Sequence, residues 1–220
     1  MRARHRHFNP KDAGAGMALD SRFMTGTNGS GVSSWSNRAN SSNNAAQSTV
    51  AEQPIYETGS LNGNPGVKFD NTDDWLSWVT AIQMRFGLCL FKSSGTQIEF
   101  GSMWGTSDNS ASGIQHLFGS SNRWVSTSFS PTRWTNAVFR KNGSTFTATN
   151  ANSVSSDADI ISTLLEDNGG VGISRMRDRA NNRGIYGLLY QYQVFSNEPS
   201  SSLIKRLQFS SAYSFKIACS

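Results

Sequence analysis

Thiol, imidazole and charge are all scarce in this 220-residue chain, and each scarcity closes a class of chemistry. There are two cysteines, Cys89 inside an apolar run and Cys219 far along the chain, so a disulfide framework is not expected. Three histidines, His5, His7 and His116, give no Cys/His set with zinc spacing and leave His116 as a lone imidazole outside the N-terminal stretch. A Gly-x-Ser-x-Gly nucleophile elbow is missing, and Gly-rich pieces such as Asn28-Gly29-Ser30-Gly31 lack the lysine and helix of a phosphate loop. Nucleophilic and nucleotide chemistry both lose their usual supports. Charged residues make up only 16% of the chain, so the surface must rely on Ser, Asn, Thr and Gly, with a net charge of +5 that makes it mildly basic. No run of 18 apolar residues exists, and the opening MRARHRHFNPKD has no apolar stretch behind its basic residues. Neither a membrane-spanning helix nor classical export is expected. Nor does any repeat of fixed period mark a propeller or solenoid.

What the chain does have is core material. Hydrophobic residues reach 36%, with thirteen Phe and six Trp, which is enough for one main domain and argues against wholesale disorder. Strand-like runs bounded by Gly, Ser, Asn and Pro recur at Val67-Phe69, Val79-Phe91, Ile98-Trp104, Ile114-Phe118, Trp124-Phe129, Trp134-Arg140, Ser144-Thr149, Gly170-Ser174 and Gly184-Phe195. Asn142-Gly143 between Phe139 and Phe146 supplies the positive φ angles of a tight hairpin turn. Ser156 to Glu166 reads as a short helix or a strand. Pro199 to Tyr213 reads as a helix from the spacing of Leu203, Ile204, Leu207 and Ala212, capped by Ser196 or Asn197. Two packed antiparallel sheets are the simplest architecture for such a pattern.

Two basic segments stand out. Residues 1 to 15 form an arm in which Arg2, Arg4 and Arg6 alternate with small residues and histidines, either a solvated tail or a docking element for an acidic protein surface or nucleic acid. Arg175, Arg177, Arg179 and Arg183, with Asp178 among them, form a basic loop ahead of the last strand. It lacks the interleaved aromatics of a single-strand binder, which favours a solvated or subunit-facing loop over a nucleic-acid contact.

A longer pattern links these elements. Ala18-Leu19-Asp20, Val32-Ser33-Ser34-Trp35, Ala45-Ala46-Gln47, Gln53-Pro54-Ile55-Tyr56, Leu61-Asn62-Gly63 and Val67-Lys68-Phe69-Asp70 precede Asp73-Asp74. Trp134 to Asn142-Gly143, the run Gly187 to Ser196 and the ending Ala212 to Lys216 follow. In order and spacing these blocks, scattered over residues 16 to 217, resemble the laminin G-like jelly-roll domains of the concanavalin A-like lectin/glucanase superfamily. The resemblance implies an all-β, two-sheet antiparallel jelly-roll sandwich, with an extended N-terminal arm (1–15), a domain over 16–220 and a short C-terminal helix. The chain departs from the pattern at Gln191, where that family commonly has an acidic residue, and at Asn37 to Ser41, which replaces a Gly-rich Asp-Lys-Ser-Gly segment.

Those departures bear on chemistry. Glycoside hydrolysis needs two carboxylates facing one cleft, and the Glu-x-Asp-x-x-Glu strand of the glucanase branch has no counterpart here: Glu99 stands alone, Asp73 and Asp74 are adjacent, and Glu166-Asp167 precede a turn. The chain is therefore expected not to be an enzyme. Sugar binding would call on Trp104, Asp108, Asn109, Arg123 and Trp124, near loop ends, with core or rim packing as the plain alternative for the two tryptophans. No cofactor is expected; calcium, if bound, has one dense oxygen group to use, Asp70, Asn71, Asp73 and Asp74. Chains of this style resemble bacteriophage virion components, which implies a capsid-decoration or fibre protein on a particle. Arg2, Arg4, Arg6, Arg175, Arg177 and Arg179 would dock it on other virion proteins, as an oligomer with glycans as further contacts. A stand-alone carbohydrate-binding module is the alternative, and a glycoside hydrolase a distant third.

Overall fold

The computed structural model describes residues 10–97, 102–105, 137–146, 156–165, 172–176 and 184–217. They form β1 (Ala15–Asp20), β2 (Ser34–Trp35), β3 (Ala45–Ala46), β4 (Ile55–Leu61), β5 (Asn64–Asp70), β6 (Ser77–Gln83), β7 (Phe86–Ser93), β8 (Val138–Lys141), β9 (Ser144–Phe146), β10 (Ala158–Leu164), β11 (Gly172–Arg175), β12 (Tyr186–Phe195) and one helix, α1 (Ser201–Phe215). The expected all-β class with two antiparallel sheets and a C-terminal helix is what the chain adopts. The large sheet runs β4-β5-β12-β7-β10-β8-β9, with β1 also pairing to β12, and the small sheet runs β11-β6-β3-β2.

Alternation along the central strands sets the layers. On β7, Cys89 and Phe91 point into a core shared with Trp35 of β2, Trp78 and Ile82 of β6 and Ile173 of β11. Phe86, Leu88 and Leu90 point the other way, where Ile204, Leu207, Ala212 and Phe215 of α1 cover them. Strand β12 does the same, sending Leu189, Tyr192 and Val194 inward and Leu188 and Tyr190 toward the helix. Its pairing with β7 slips between Leu189 and Gln191, which inserts Tyr190 as a bulge. Both faces of β7, β10 and β12 are buried, so burial runs on along each strand instead of alternating, and β10 and β12 carry buried polar residues, Asp159, Ser162, Thr163, Gln191 and Gln193, within that run.

Local chemistry accounts for the turns. Asn62-Gly63 and Asn142-Gly143 both adopt positive φ, 51° and 83° in the first turn and 51° and 93° in the second, and close the β4–β5 and β8–β9 hairpins. Ser200 caps α1 by accepting from the Leu203 amide at 3.3 Å. The expected caps, Ser196 and Asn197, lie instead in the connection that turns the chain off β12. Val79 to Phe91, one run in sequence, divides into β6 and β7 on different sheets. Ser156 to Glu166 resolves as strand β10. At the N-terminal end, Pro10 to Gly14 make a turn in which the Ala15 amide donates to the Pro10 carbonyl at 3.2 Å, so the folded body starts ahead of residue 16. Among the described residues no helix is long and apolar enough to cross a membrane.

Candidate functional site

A groove of about 430 Å³ lies between the Asn28–Gly29 segment, β4 from Ile55 to Thr58, and Lys68 and Asp70 of β5 with Asp74 beyond them. Val67 and Phe69 point into the inter-sheet core, so Lys68 and Asp70 face the opposite way, beside Ile55 and Glu57 of β4. The segment Asn28 to Gly31 walls the groove by pairing along the β4 edge. Gly29 donates to the Tyr56 carbonyl at 2.8 Å, Tyr56 donates to the Ser30 carbonyl at 2.8 Å, and the Asn28 side chain accepts from the Thr58 amide at 2.9 Å. Lys68 and Glu57 approach to 3.6 Å across the strands.

The far end of the groove is a turn built from carboxylates. Asp74 is 5% exposed and accepts from the Asp70 amide at 2.8 Å, while Asp70 accepts from the Thr72 amide at 2.8 Å. Asn71, between them, sits at φ 74°, a left-handed conformation that Asn tolerates. One carboxylate oxygen from each of Asp70, Asp73 and Asp74 lies within 4.8 Å of the others. Burial, with the nearby Asp70 charge second, pushes the Asp74 carboxyl up to about 7. Three hard oxygen donors at this separation match the chemistry of a calcium ligand set, although such a site takes six to eight oxygens in all. Of the dense oxygen group read from the sequence, Asp70, Asp73 and Asp74 are thus brought together.

The expected sugar-binding set is placed only in part. Trp104 is fully buried, its ring centroid 6.2 Å from that of Tyr192, and a Cβ added at Gly87 would lie 2.8 Å from its indole nitrogen. No face of that ring is open to a sugar, which assigns Trp104 to the core. Asp108, Asn109, Arg123 and Trp124 lie outside the described residues. So do Arg2, Arg4, Arg6, Arg177 and Arg179 of the docking set. Arg175 closes β11 and holds its guanidinium 5.9 Å from the ring centroid of Trp75, whose indole N–H donates to Glu52 at 2.9 Å.

Sequence reading missed the groove itself. Glu57, Lys68 and Asn28 carry no motif, and only the hairpin and the pairing of residues 28–31 bring them to one place. The signal that was available is the Asp70 to Asp74 turn, whose spacing pointed to converging oxygens. Compared with protein-family models, with curated proteins and with solved structures, the chain matches none of them.

Proposed function

We propose that this chain is a non-enzymatic surface component of a bacteriophage particle, a laminin G-like jelly-roll sandwich whose basic segments dock on other virion proteins while its groove faces outward and contacts glycans. The family part of this reading rests on the ordered blocks from Ala18 to Asp74 and from Gly187 to Lys216. The observation that carries the non-catalytic part is the engagement of the groove's carboxylates. Asp70 and Asp74 differ in environment, as an acid and its partner would. Yet both hold amides of their own five-residue turn, and Glu57 is paired with Lys68. A hydrolytic pair needs two carboxyl groups aimed at one bond from opposite sides, with room for the bond between them.

Mass spectrometry of purified particles tests the reading. The chain is expected among the structural proteins, and its absence from particles while it is abundant in the infected-cell lysate would overturn the proposal. A second reading, a carbohydrate-binding module acting alone, draws on the mixed donors and acceptors around Ile55 in the groove. A glycan array run with calcium and with chelator separates the two, since binding to isolated glycans with no particle association favours the module.

A further inference from the structure

Three Asn-Gly pairs fall within the described residues, Asn28-Gly29, Asn62-Gly63 and Asn142-Gly143, and a fourth, Asn168-Gly169, lies outside them. Such pairs are open to loss of the side-chain amide, because glycine has no Cβ to shield its backbone nitrogen from the preceding Cγ. The fold holds the three in different ways. Asn142 is fixed on both sides, its Nδ2 donating to the buried Asp159 carboxylate at 3.1 Å and its Oδ1 accepting from the Ile160 amide at 2.8 Å. At Asn28 the glycine is held, since Gly29 donates its N–H to the Tyr56 carbonyl at 2.8 Å. Asn62 and Gly63 are both exposed at the tip of the β4–β5 hairpin, and there the hold falls on Nδ2, which donates to the carbonyls of Phe215 at 2.8 Å and Lys216 at 3.1 Å. Those are carbonyls that α1 leaves over. The amides of Lys216, in a left-handed cap at φ 54°, and of Ile217 turn back to Tyr213 at 3.3 Å and Ala212 at 3.0 Å, and the two protons of one hairpin amide serve the next two oxygens.

We propose that Asn62 is a site of spontaneous deamidation and that the reaction releases the last turn of α1. The Gly63 nitrogen gives its proton to a solvent base and bonds to Cγ of Asn62. The Cγ–Nδ2 bond then breaks, and Nδ2 takes a proton from water and leaves as ammonia. A water molecule opens the resulting five-membered imide at either carbonyl, giving aspartate or isoaspartate. Attack requires the side chain to turn from the helix toward Gly63, so the reaction waits on a brief parting of the α1 end from the hairpin. The product cannot resume the old contact. Its carboxylate sets a negative charge against two carbonyl oxygens at the negative end of the helix, and the donor that had served them is gone. Phe215, whose ring meets that of Tyr190 edge-on at 5.7 Å and lies 4.9 Å from the Arg22 guanidinium, is pressed onto the large sheet by this turn. Its hold on the sheet loosens with the turn.

The chemistry needs only water and stands apart from the particle reading. Peptide mapping by mass spectrometry, after the full chain is incubated at mildly alkaline pH, tests the site. Conversion at Asn62 should run ahead of that at Asn142 and Asn28 in the folded chain, and urea should bring the three closer together, since all share the Asn-Gly sequence. Hydrogen exchange tests the release. Asn62→Asp should lower the protection of the Lys216 and Ile217 amides about tenfold. The loss should exceed that in Asn62→Gly, which removes the amide, keeps the positive φ and adds no charge. Should Asn62→Asp not fold, the converted chain itself, separated from its parent by charge on ion exchange, takes its place. Asn62 left intact while Asn28 or Asn142 converts overturns the proposal. So does protection at Lys216 and Ile217 that is the same in the parent and in Asn62→Asp, or no lower in Asn62→Asp than in Asn62→Gly.

Discussion

Gln191 on β12 donates its side-chain amide to Asp20 on β1 at 2.9 Å, joining residues 171 positions apart. Both side chains are buried, and the two residues are direct cross-strand partners. Asp20 also receives two bonds from Arg22, at 2.9 Å from Nε and 2.5 Å from Nη2. The pair explains why an amide suits position 191 in this chain: an acidic residue there would set two carboxylates against each other out of water.

Gln191→Glu should therefore cost about 2–4 kcal/mol near pH 7.5. Much of that loss should return near pH 4.5, where one of the two carboxyls takes up a proton and can donate to the other. Urea unfolding at the two pH values checks this. An equal loss at both would show that shape, not charge, sets the requirement.

Asp74 leads to a second pH effect with a definite sign. Its carboxyl is raised from 3.8 to about 7, so between those values the folded chain binds a proton that the unfolded chain has released. Its contribution to stability is then fully present below about pH 4 and is lost as pH rises toward about 7. Asp74→Asn keeps an acceptor for the Asp70 amide and removes the titration. The variant should be more stable than the parent near pH 7.5 by roughly 1–3 kcal/mol, and the advantage should shrink toward pH 4.5. Unfolding curves at three pH values test it, and a constant offset would contradict the titration.

How much of this was legible beforehand depended on whether the determining contacts were local. The Asn142-Gly143 hairpin could be read because two adjacent residues suffice to set its φ angles. The helix could be read from the spacing of Ile204, Leu207 and Ala212, though Ser200 starts it later than expected because the chain must first turn away from β12. Strand β10 could not be separated from a helix: it is buried on both faces, which erases its period of two. Strand β1, an Ala-Gly-Met-Ala-Leu-Asp sequence of weak strand propensity, is held by partners on β12 more than 170 residues away, and only the family resemblance pointed to it. The groove was illegible for a similar reason, since Asn28, Glu57 and Lys68 meet only through strand pairing. Trp104 shows the converse, for a tryptophan beside a loop in sequence is the floor of the core in space.

Gly187 provides a steric test of that core. It sits at φ 153°, and an added Cβ would lie 2.3 Å from the Lys92 carbonyl oxygen and 2.6 Å from Cζ of Phe91. Relief would require moving the backbone of β7, a central strand of the large sheet. Gly187→Ala should lose about 3 kcal/mol or more, which equilibrium unfolding would register as a lower midpoint with an unchanged slope. A loss below about 1 kcal/mol would mean that β7 yields easily.

Cys89 offers a way to watch the same core open. It stands on β7 between Ile161 of β10 and Tyr192 of β12, fully buried among side chains of both sheets. Burial, followed by the nearby Asp159 charge, pushes its thiol well above the usual range. Only a thiolate reacts readily with disulfide reagents, and reaching this one requires separating central strands. In a Cys219→Ser variant, labelling of Cys89 should be slow in buffer and should accelerate with urea along the slope measured for global unfolding. Labelling at the rate of a free thiol in the folded protein would place Cys89 in a region that opens locally. Labelling with a shallower urea dependence would mean that β7 and β10 part before the small sheet and α1 release. The strand order predicts neither, because β7 is bonded on both sides and covered on both faces.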